Sequence, residues 1–257
     1  MPTPTKSFVL YTNKISSGSE LTASEEAVGY EDDNLYDNDQ ELTWRSEDDT
    51  GEKTILWNAG SEKKVTAIGI ANHNYSSSGT FTLKCGSTSD VTDNTWNLTM
   101  TDKINPYKAC FFSYLDGSEY TKQYWKFGAT EDTSDDYHEA GVLYLGEYIE
   151  LPRKPSAVGV RYSDDHKTEE IRHAGGQKTI YDLYSIRGYS MEWKALTLTE
   201  FNYFEAIWKA NKKSVPFFFC LHPDKLEDSL YAITVEFVFE ERDNNKFDLK
   251  WVIEEAL

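Results

Sequence analysis

Val65-Thr66-Ala67-Ile68-Gly69-Ile70-Ala71-Asn72-His73-Asn74-Tyr75-Ser76-Ser77-Ser78-Gly79-Thr80-Phe81-Thr82-Leu83-Lys84-Cys85 contains a strand, a loop and a second strand. The first run is β-branched and small apolar, as suits a short strand. The second sets Phe81, Leu83 and Cys85 against Thr80, Thr82 and Lys84. That period of two puts one face inward and one in solvent. Tyr75-Ser76-Ser77-Ser78-Gly79 between them has the composition of a turn.

Working outward, the same signature recurs. Lys53-Thr54-Ile55-Leu56-Trp57-Asn58, Tyr124-Trp125-Lys126-Phe127 and Val142-Leu143-Tyr144-Leu145-Gly146-Glu147-Tyr148-Ile149 read as further short strands. Ser-Gly and Asn-Asp turns separate them, a spacing that predicts a β-sandwich or jelly roll. The 17 Tyr, 13 Phe and 7 Trp suit pleated surfaces. At 257 residues the chain can build its core without disulfide or metal staples.

Glu150-Leu151-Pro152-Arg153-Lys154-Pro155 breaks the pattern, because proline cannot donate to a sheet. It predicts a sandwich domain over residues 1–152 and a smaller β-rich domain over 153–257. The polar stretch Ser163–Lys178, with Gly175-Gly176, reads as an exposed loop. Ile186–Trp193 alternates as a strand. Thr197-Leu198-Thr199-Glu200 then has the form of a capping box, and Phe201, Phe204, Ile207 and Trp208 follow at helical spacing. Asn211-Lys212-Lys213 closes a helix near 199–211 with positive charge. Past Val215-Pro216 come Phe217-Phe218-Phe219 and two strands, Tyr231–Glu240 and Phe247–Ile253, around the turn Asp243-Asn244-Asn245. No internal repeat is evident.

The net charge of −18 is unevenly spread: residues 1–150 carry 26 acids against 11 bases, and 151–257 carry 18 against 15. Such a surface repels phosphate backbones and anionic bilayers, which argues against tight nucleic-acid binding. No apolar run is long enough to span a membrane, and the opening residues Met1–Lys6 predict no secretory leader. Cys85, Cys110 and Cys220 lack metal-finger spacing and read as reduced thiols in a protein made in a cytoplasm.

Catalytic signatures are missing. The sequence contains no nucleophile elbow, P-loop, dinucleotide fingerprint or zinc-protease helix. His73, His138, His166, His173 and His222 have no second His or Cys at i+3 or i+4. Glu31-Asp32-Asp33, Asp48-Asp49 and Asp135-Asp136 are three carboxylate clusters among 44 acids, so they specify no acid–base pair. The expectation is a protein that is not an enzyme and needs no cofactor. Asn34-Leu35-Tyr36-Asp37-Asn38-Asp39 offers oxygen ligands that suit a structural calcium ion, and the same residues form turns.

Two places could hold a ligand. Trp44-Arg45 and Trp57 bracket an acidic turn, where a Trp face could stack on a sugar or plug the core. His73, Asn74 and Tyr75 leave a strand for a loop, where they could face a ligand or bond back to the backbone. Phe217, Phe218, Phe219 and Trp208 are candidates for an assembly surface. Alternate residues of a strand face opposite sides, so either a further layer or a partner must cover Phe218.

The series Asn34-Leu35, Thr43-Trp44-Arg45-Ser46, Thr54-Ile55-Leu56-Trp57, Ala67–Tyr75 and Ser78-Gly79-Thr80 resembles the galactose-binding-like (discoidin-type) jelly roll of tailed-phage minor tail proteins. Ala140–Gly146 resembles its closing strand. Arg187–Trp193, Leu198-Thr199-Glu200, Val215-Pro216-Phe217 and the last strands resemble a phage tail domain. The resemblance covers about four fifths of the chain by order of weak motifs. It implies a structural protein of the distal tail or baseplate in the virion, synthesised in the host cytoplasm. It also implies a homo-oligomeric ring, contacts with other tail proteins, and a sugar site in the loops that could engage a host glycan.

Overall fold

The structure is a computed structural model that describes residues 4–100, 110–115, 120–130, 136–156, 160–172, 178–242 and 245–256. Asp135, His173, Gly175-Gly176 and Asp243-Asn244 of the expectations above lie outside the described residues. The strands are β1 (Phe8–Leu10), β2 (Leu21–Ala23), β3 (Trp44–Arg45), β4 (Lys53–Val65), β5 (Ala67–His73), β6 (Thr80–Gly86), β7 (Asn94–Leu98) and β8 (Cys110–Tyr114). They continue as β9 (Tyr120–Thr130), β10 (Glu139–Gly146), β11 (Ile149–Glu150), β12 (Arg161–Arg172) and β13 (Lys178–Thr197). Helix α1 (Leu198–Asn211) precedes β14 (Phe217–Cys220), β15 (Leu230–Arg242) and β16 (Lys246–Glu255). The protein is mainly β, as its sequence predicts.

Two compact units form. Met1–Glu150 belongs with Phe217–Tyr231, and Leu151–Pro216 with Ala232–Leu257. Unit 1 therefore takes back a stretch that the sequence assigns wholly to the second domain.

Unit 1 is a sandwich of a four-stranded sheet, β3-β10-β5-β8, and a five-stranded sheet, β2-β4-β9-β6-β7. Ile55, Trp57, Phe81, Leu83, Trp125 and Phe127 of the larger sheet share one core with Trp44, Ile68, Ile70, Phe111, Leu143 and Leu145 of the smaller. The alternation of Phe81-Thr82-Leu83-Lys84-Cys85 does what its period dictates: the apolar three are buried and Thr82 and Lys84 half-exposed. β5 and β10 are buried on both faces. Behind them lies a third layer, β11-β1-β14.

That third layer overturns the assembly role expected of Phe217, Phe218 and Phe219. All three are 0% exposed. Phe218 sits on the back of the four-stranded sheet, with its ring centre 5.7 Å from that of Phe112 and 5.3 Å from that of Tyr144. Gly69 makes room for it, since a Cβ there would come within 2.5 Å of the Phe218 ring. β1 holds the strand in place by pairing antiparallel, Phe8 with Cys220 and Leu10 with Phe218.

Unit 2 is an antiparallel sheet, β15-β16-β13-β12, with α1 on one face. Thr197 and Glu200 close the capping box at the start of α1, each side chain accepting from the other's backbone N–H. Phe204 packs 4.6 Å from Trp193, Phe201 stacks 4.5 Å from Phe247, and Trp208 stacks 5.2 Å from Phe237. Trp208 is thus half-buried by its own sheet. β13 bulges between Trp193 and Leu196, where Ala195 takes a positive φ of 54°. The Asp248 carboxylate satisfies the bulge by accepting from Ala195 N at 2.9 Å, and Arg242 and Lys194 flank it.

Ser163–Arg172 is not the predicted loop. Arg161–Arg172 forms β12 and pairs along β13 from Arg161↔Ser190 to Arg172↔Lys178. Low apolar content misled the reading, because ladder hydrogen bonds and cross-strand ion pairs need no apolar side chains. Glu170 shows this, pairing with Lys178 at 2.6 Å and Arg172 at 2.9 Å.

Candidate functional site

The two-residue strand β3 is the key to the loop end of the sandwich. Its partner is β10, in the register Arg45↔Glu139 and Trp44↔Ala140. Consecutive residues of a strand point to opposite faces, so Trp44 enters the core and Arg45 faces out beside Glu139. Arg45 Nη2 donates to Glu139 Oε1 at 3.2 Å. Its guanidinium carbon lies 4.1 Å from the ring centre of Tyr30 and 4.8 Å from that of Tyr137. Both rings are half-buried, so the cation sits between two aromatic faces at the surface. Burial works against the charge, but Glu139 outweighs it and holds the Arg45 pKa above its ordinary value.

The surrounding backbone is fixed. Arg45 N donates to Tyr30 O at 3.2 Å, and Ala27 N to Arg45 O at 2.9 Å. Asn74 donates from Nδ2 to Tyr137 O at 2.7 Å and accepts at Oδ1 from Glu139 N at 2.9 Å. Asn72, with a φ of 52°, ties the same strand end to Gln40 O at 2.6 Å. A preorganised patch results: two phenol rings, one guanidinium and one carboxylate on a braced loop cluster.

Below it the histidines are structural. His138 is 0% exposed and His73 4%, and Tyr75 lies stacked on His73 at 5.3 Å and 5.8 Å from His138. His73 Nδ1 accepts from Tyr75 N at 3.2 Å, fixing the loop start. Ser46 brackets His138, its Oγ accepting from His138 N at 2.8 Å and its N donating to His138 O at 3.0 Å. Burial pushes the His138 pKa down, and the nearby Lys53 charge adds to this, against the pull of Asp49 and Glu25. Lys53 is itself nearly enclosed, its Nζ 2.6 Å from both Glu25 and Asp48. Asp48 is held down at about 2, chiefly by its hydrogen bond from Lys53.

Several sequence candidates are thereby corrected. Trp44 and Trp57 are each 1% exposed, so neither presents a face to a sugar. Their indole N–H groups donate to Glu25 O at 3.1 Å and to Glu20 Oε2 at 2.8 Å. His73 and Tyr75 are buried, and Asn74 is half-exposed but braces the loop. Of the candidates, Arg45 alone keeps its functional group at the patch. Tyr30, Tyr137 and Glu139 were missed.

The oxygens of the Asn34–Asp39 run are spent on turns: Asp37 Oδ1 accepts from Asp39 N at 3.1 Å, and Asp39 Oδ1 from Glu41 N at 3.0 Å. Asn38 Oδ1 accepts from the phenols of Tyr144 at 2.6 Å and Tyr231 at 3.3 Å. Among the described residues no three His, Cys, Asp or Glu side chains gather as a metal site requires. Burial pushes the Cys85 thiol up to about 11 and the Cys220 thiol up to about 12, which makes both poor nucleophiles. No described helix is long and apolar enough to cross a membrane.

No family model matches the chain, and neither does any curated protein sequence. Solved structures do. Chitosan-binding module 1 from the chitosanase/glucanase of Paenibacillus sp. IK-5 is 17% identical, with a TM-score of 0.42 over 53% of this chain and 99% of that one. The lectin domain of lectinolysin, complexed with Lewis B antigen, is 11% identical, with a TM-score of 0.41 over 53% and 97%. The family 32 CBM from C. perfringens NanJ, in complex with galactose, is 14% identical, with a TM-score of 0.38 over 56% and 99%.

Proposed function

We propose that the protein is a non-catalytic binding component whose unit 1 recognises a saccharide at the Tyr30–Arg45–Tyr137–Glu139 patch. The observation that carries this reading is the cation held between two half-buried tyrosine rings beside a carboxylate. Saccharides present an apolar ring face for aromatic contact and hydroxyls that take charge-assisted hydrogen bonds. Because the loops are already braced by Asn74 and Ser46, little ordering entropy opposes binding. An acidic surface disfavours anionic ligands, so the class is neutral or amino sugars. Calorimetric titration of the whole protein with such sugars, set against Arg45→Ala, tests it.

A second reading draws on the order of tail-protein motifs and on β12, the strand that ends the sheet in unit 2. In it the protein builds the tail tip or baseplate of a phage or phage-like particle, as a ring in contact with neighbouring tail proteins. The two readings are compatible, since a tail tip is where a host glycan would be met. Negative-stain imaging of the particle with a labelled terminus tests the second: label at the distal tail supports it, and label absent from the particle removes it.

A further inference from the structure

The three segments that carry the saccharide patch meet again one layer deeper, around His138. This residue stands in the chain between Tyr137 and Glu139, and its side chain is 0% exposed. Ser46, the neighbour of Arg45, brackets it: Ser46 Oγ accepts from His138 N and Ser46 N donates to His138 O. The remaining segment arrives through Glu25. Its carboxylate takes Lys53 Nζ at 2.6 Å and the backbone N–H groups of Glu47 at 3.1 Å and Asp48 at 3.3 Å. Glu25 opens the loop that runs through Ala27, bonded to Arg45 O, to Tyr30.

The imidazole is poorly provided for as a cation. Neither ring nitrogen has a well-aligned hydrogen-bond partner among the described residues, and the strongest pull toward the charged form comes from the Asp49 backbone. The groups facing it are the Asp49 and Glu25 carboxylates, which favour a proton, and Lys53, which opposes one. Tyr75 lies against it too, with His73 stacked on that ring. Asp48, held at about 2, does not titrate in the same range. Burial outweighs the rest, so the ring is neutral at pH 7 and takes up its proton below the ordinary value of 6.5. Once charged, it is a second buried cation in the field of Lys53, and the two compete for Glu25. That competition loosens the clamp under Tyr30, Arg45, Tyr137 and Glu139.

We propose that protonation of His138 switches the patch off, so that unit 1 holds its saccharide at neutral pH and releases it in mild acid while still folded. The inference rests on the saccharide reading above and adds the condition under which that site works. Ligand and proton compete. A bound sugar keeps the patch assembled and His138 neutral, so binding expels a proton wherever the free protein holds one.

Calorimetric titration of the whole chain with glucose, galactose and mannose, none of which titrates in this range, tests it at about pH 7.5 and about pH 5.5. Wild type is expected to bind about three- to tenfold more weakly at the lower pH, the span that one coupled proton allows there, with its circular dichroism unchanged. Titrations near pH 6 in two buffers of different ionisation enthalpy are expected to show proton release on binding, a readout that needs no variant. His138→Phe is expected to bind equally well at both pH values. Wild-type binding that is equal at both pH values, or that releases no proton, overturns the proposal and leaves the patch reading standing. A variant that keeps the full acid dependence does the same, as does a loss of binding that accompanies loss of the fold. Folded wild type that binds none of the sugars at either pH removes the patch reading, and this proposal with it.

Discussion

Arg45 and Tyr30 are joined twice: the guanidinium carbon lies 4.1 Å from the ring centre, and Arg45 N donates to Tyr30 O at 3.2 Å. The backbone bond fixes where the ring stands, and the ring fixes where the charge stands. Tyr30→Ala should therefore loosen Arg45 without unfolding unit 1. The expected cost is about 0.5–2 kcal/mol of stability, the worth of a partly desolvated cation–π contact. Chemical denaturation measures it. A loss beyond about 4 kcal/mol would mark Tyr30 as core, contrary to its half-exposed position.

His138 predicts an acid-sensitive unit 1. Its pKa is lowered in the folded state, so the unfolded chain binds the proton more readily. Stability is then full above the ordinary histidine value of 6.5 and falls as the pH drops through it toward the folded value. The groups facing His138 are Asp49, Glu25, Lys53 and Tyr75. His138→Phe should flatten the melting temperature between pH 7 and pH 5 relative to wild type, a window about the usual histidine range. An unchanged slope in the variant would assign the acid sensitivity to other groups.

Gly69 has no room for a methyl group. A Cβ there meets Phe218 ring carbons at 2.5–2.6 Å, and the ring, 0% exposed, has nowhere to retreat. Gly69→Ala should cost about 1–3 kcal/mol, as overpacking of a close-packed core does. Phe218→Leu, itself destabilising, should recover part of that cost in the double variant. Additive losses in a double-mutant cycle would deny the contact.

Arg187 and Glu255 predict a sharp local penalty in unit 2. Glu255 accepts from Arg187 N at 2.9 Å and from Nε at 2.7 Å, and both side chains are nearly enclosed. Glu255→Ala strands a guanidinium in the protein interior and should cost about 3–5 kcal/mol. Glu255→Gln keeps the shape and one acceptor and should cost less. Urea denaturation compares the two.

How much of this was legible before folding depended on whether the signal was local. Phe81-Thr82-Leu83 and Thr197–Glu200 carry their instructions within a few residues, and the structure follows them. The layer that buries Phe218 is built from Phe8–Leu10, Ile149–Glu150 and Phe217–Cys220, segments that only folding brings together. Ser163–Lys178 looked like a loop because composition registers side chains, whereas the ladder of Arg161–Arg172 is a property of the backbone. Tyr30, Arg45, Tyr137 and Glu139 are scattered in the chain, so no motif announces them. One clue was present: with Trp44 in the core, strand alternation alone would have turned Arg45 outward.

The most direct measurement is a calorimetric titration of the intact protein with neutral hexoses and amino sugars, run in parallel on Arg45→Ala. The account predicts saturable binding in the range of about 0.1–10 mM, weakened at least about tenfold in the variant, which corresponds to about 1.4 kcal/mol. Wild type that binds none of these sugars at the upper end of that range, or a variant that binds as well as wild type, would contradict it.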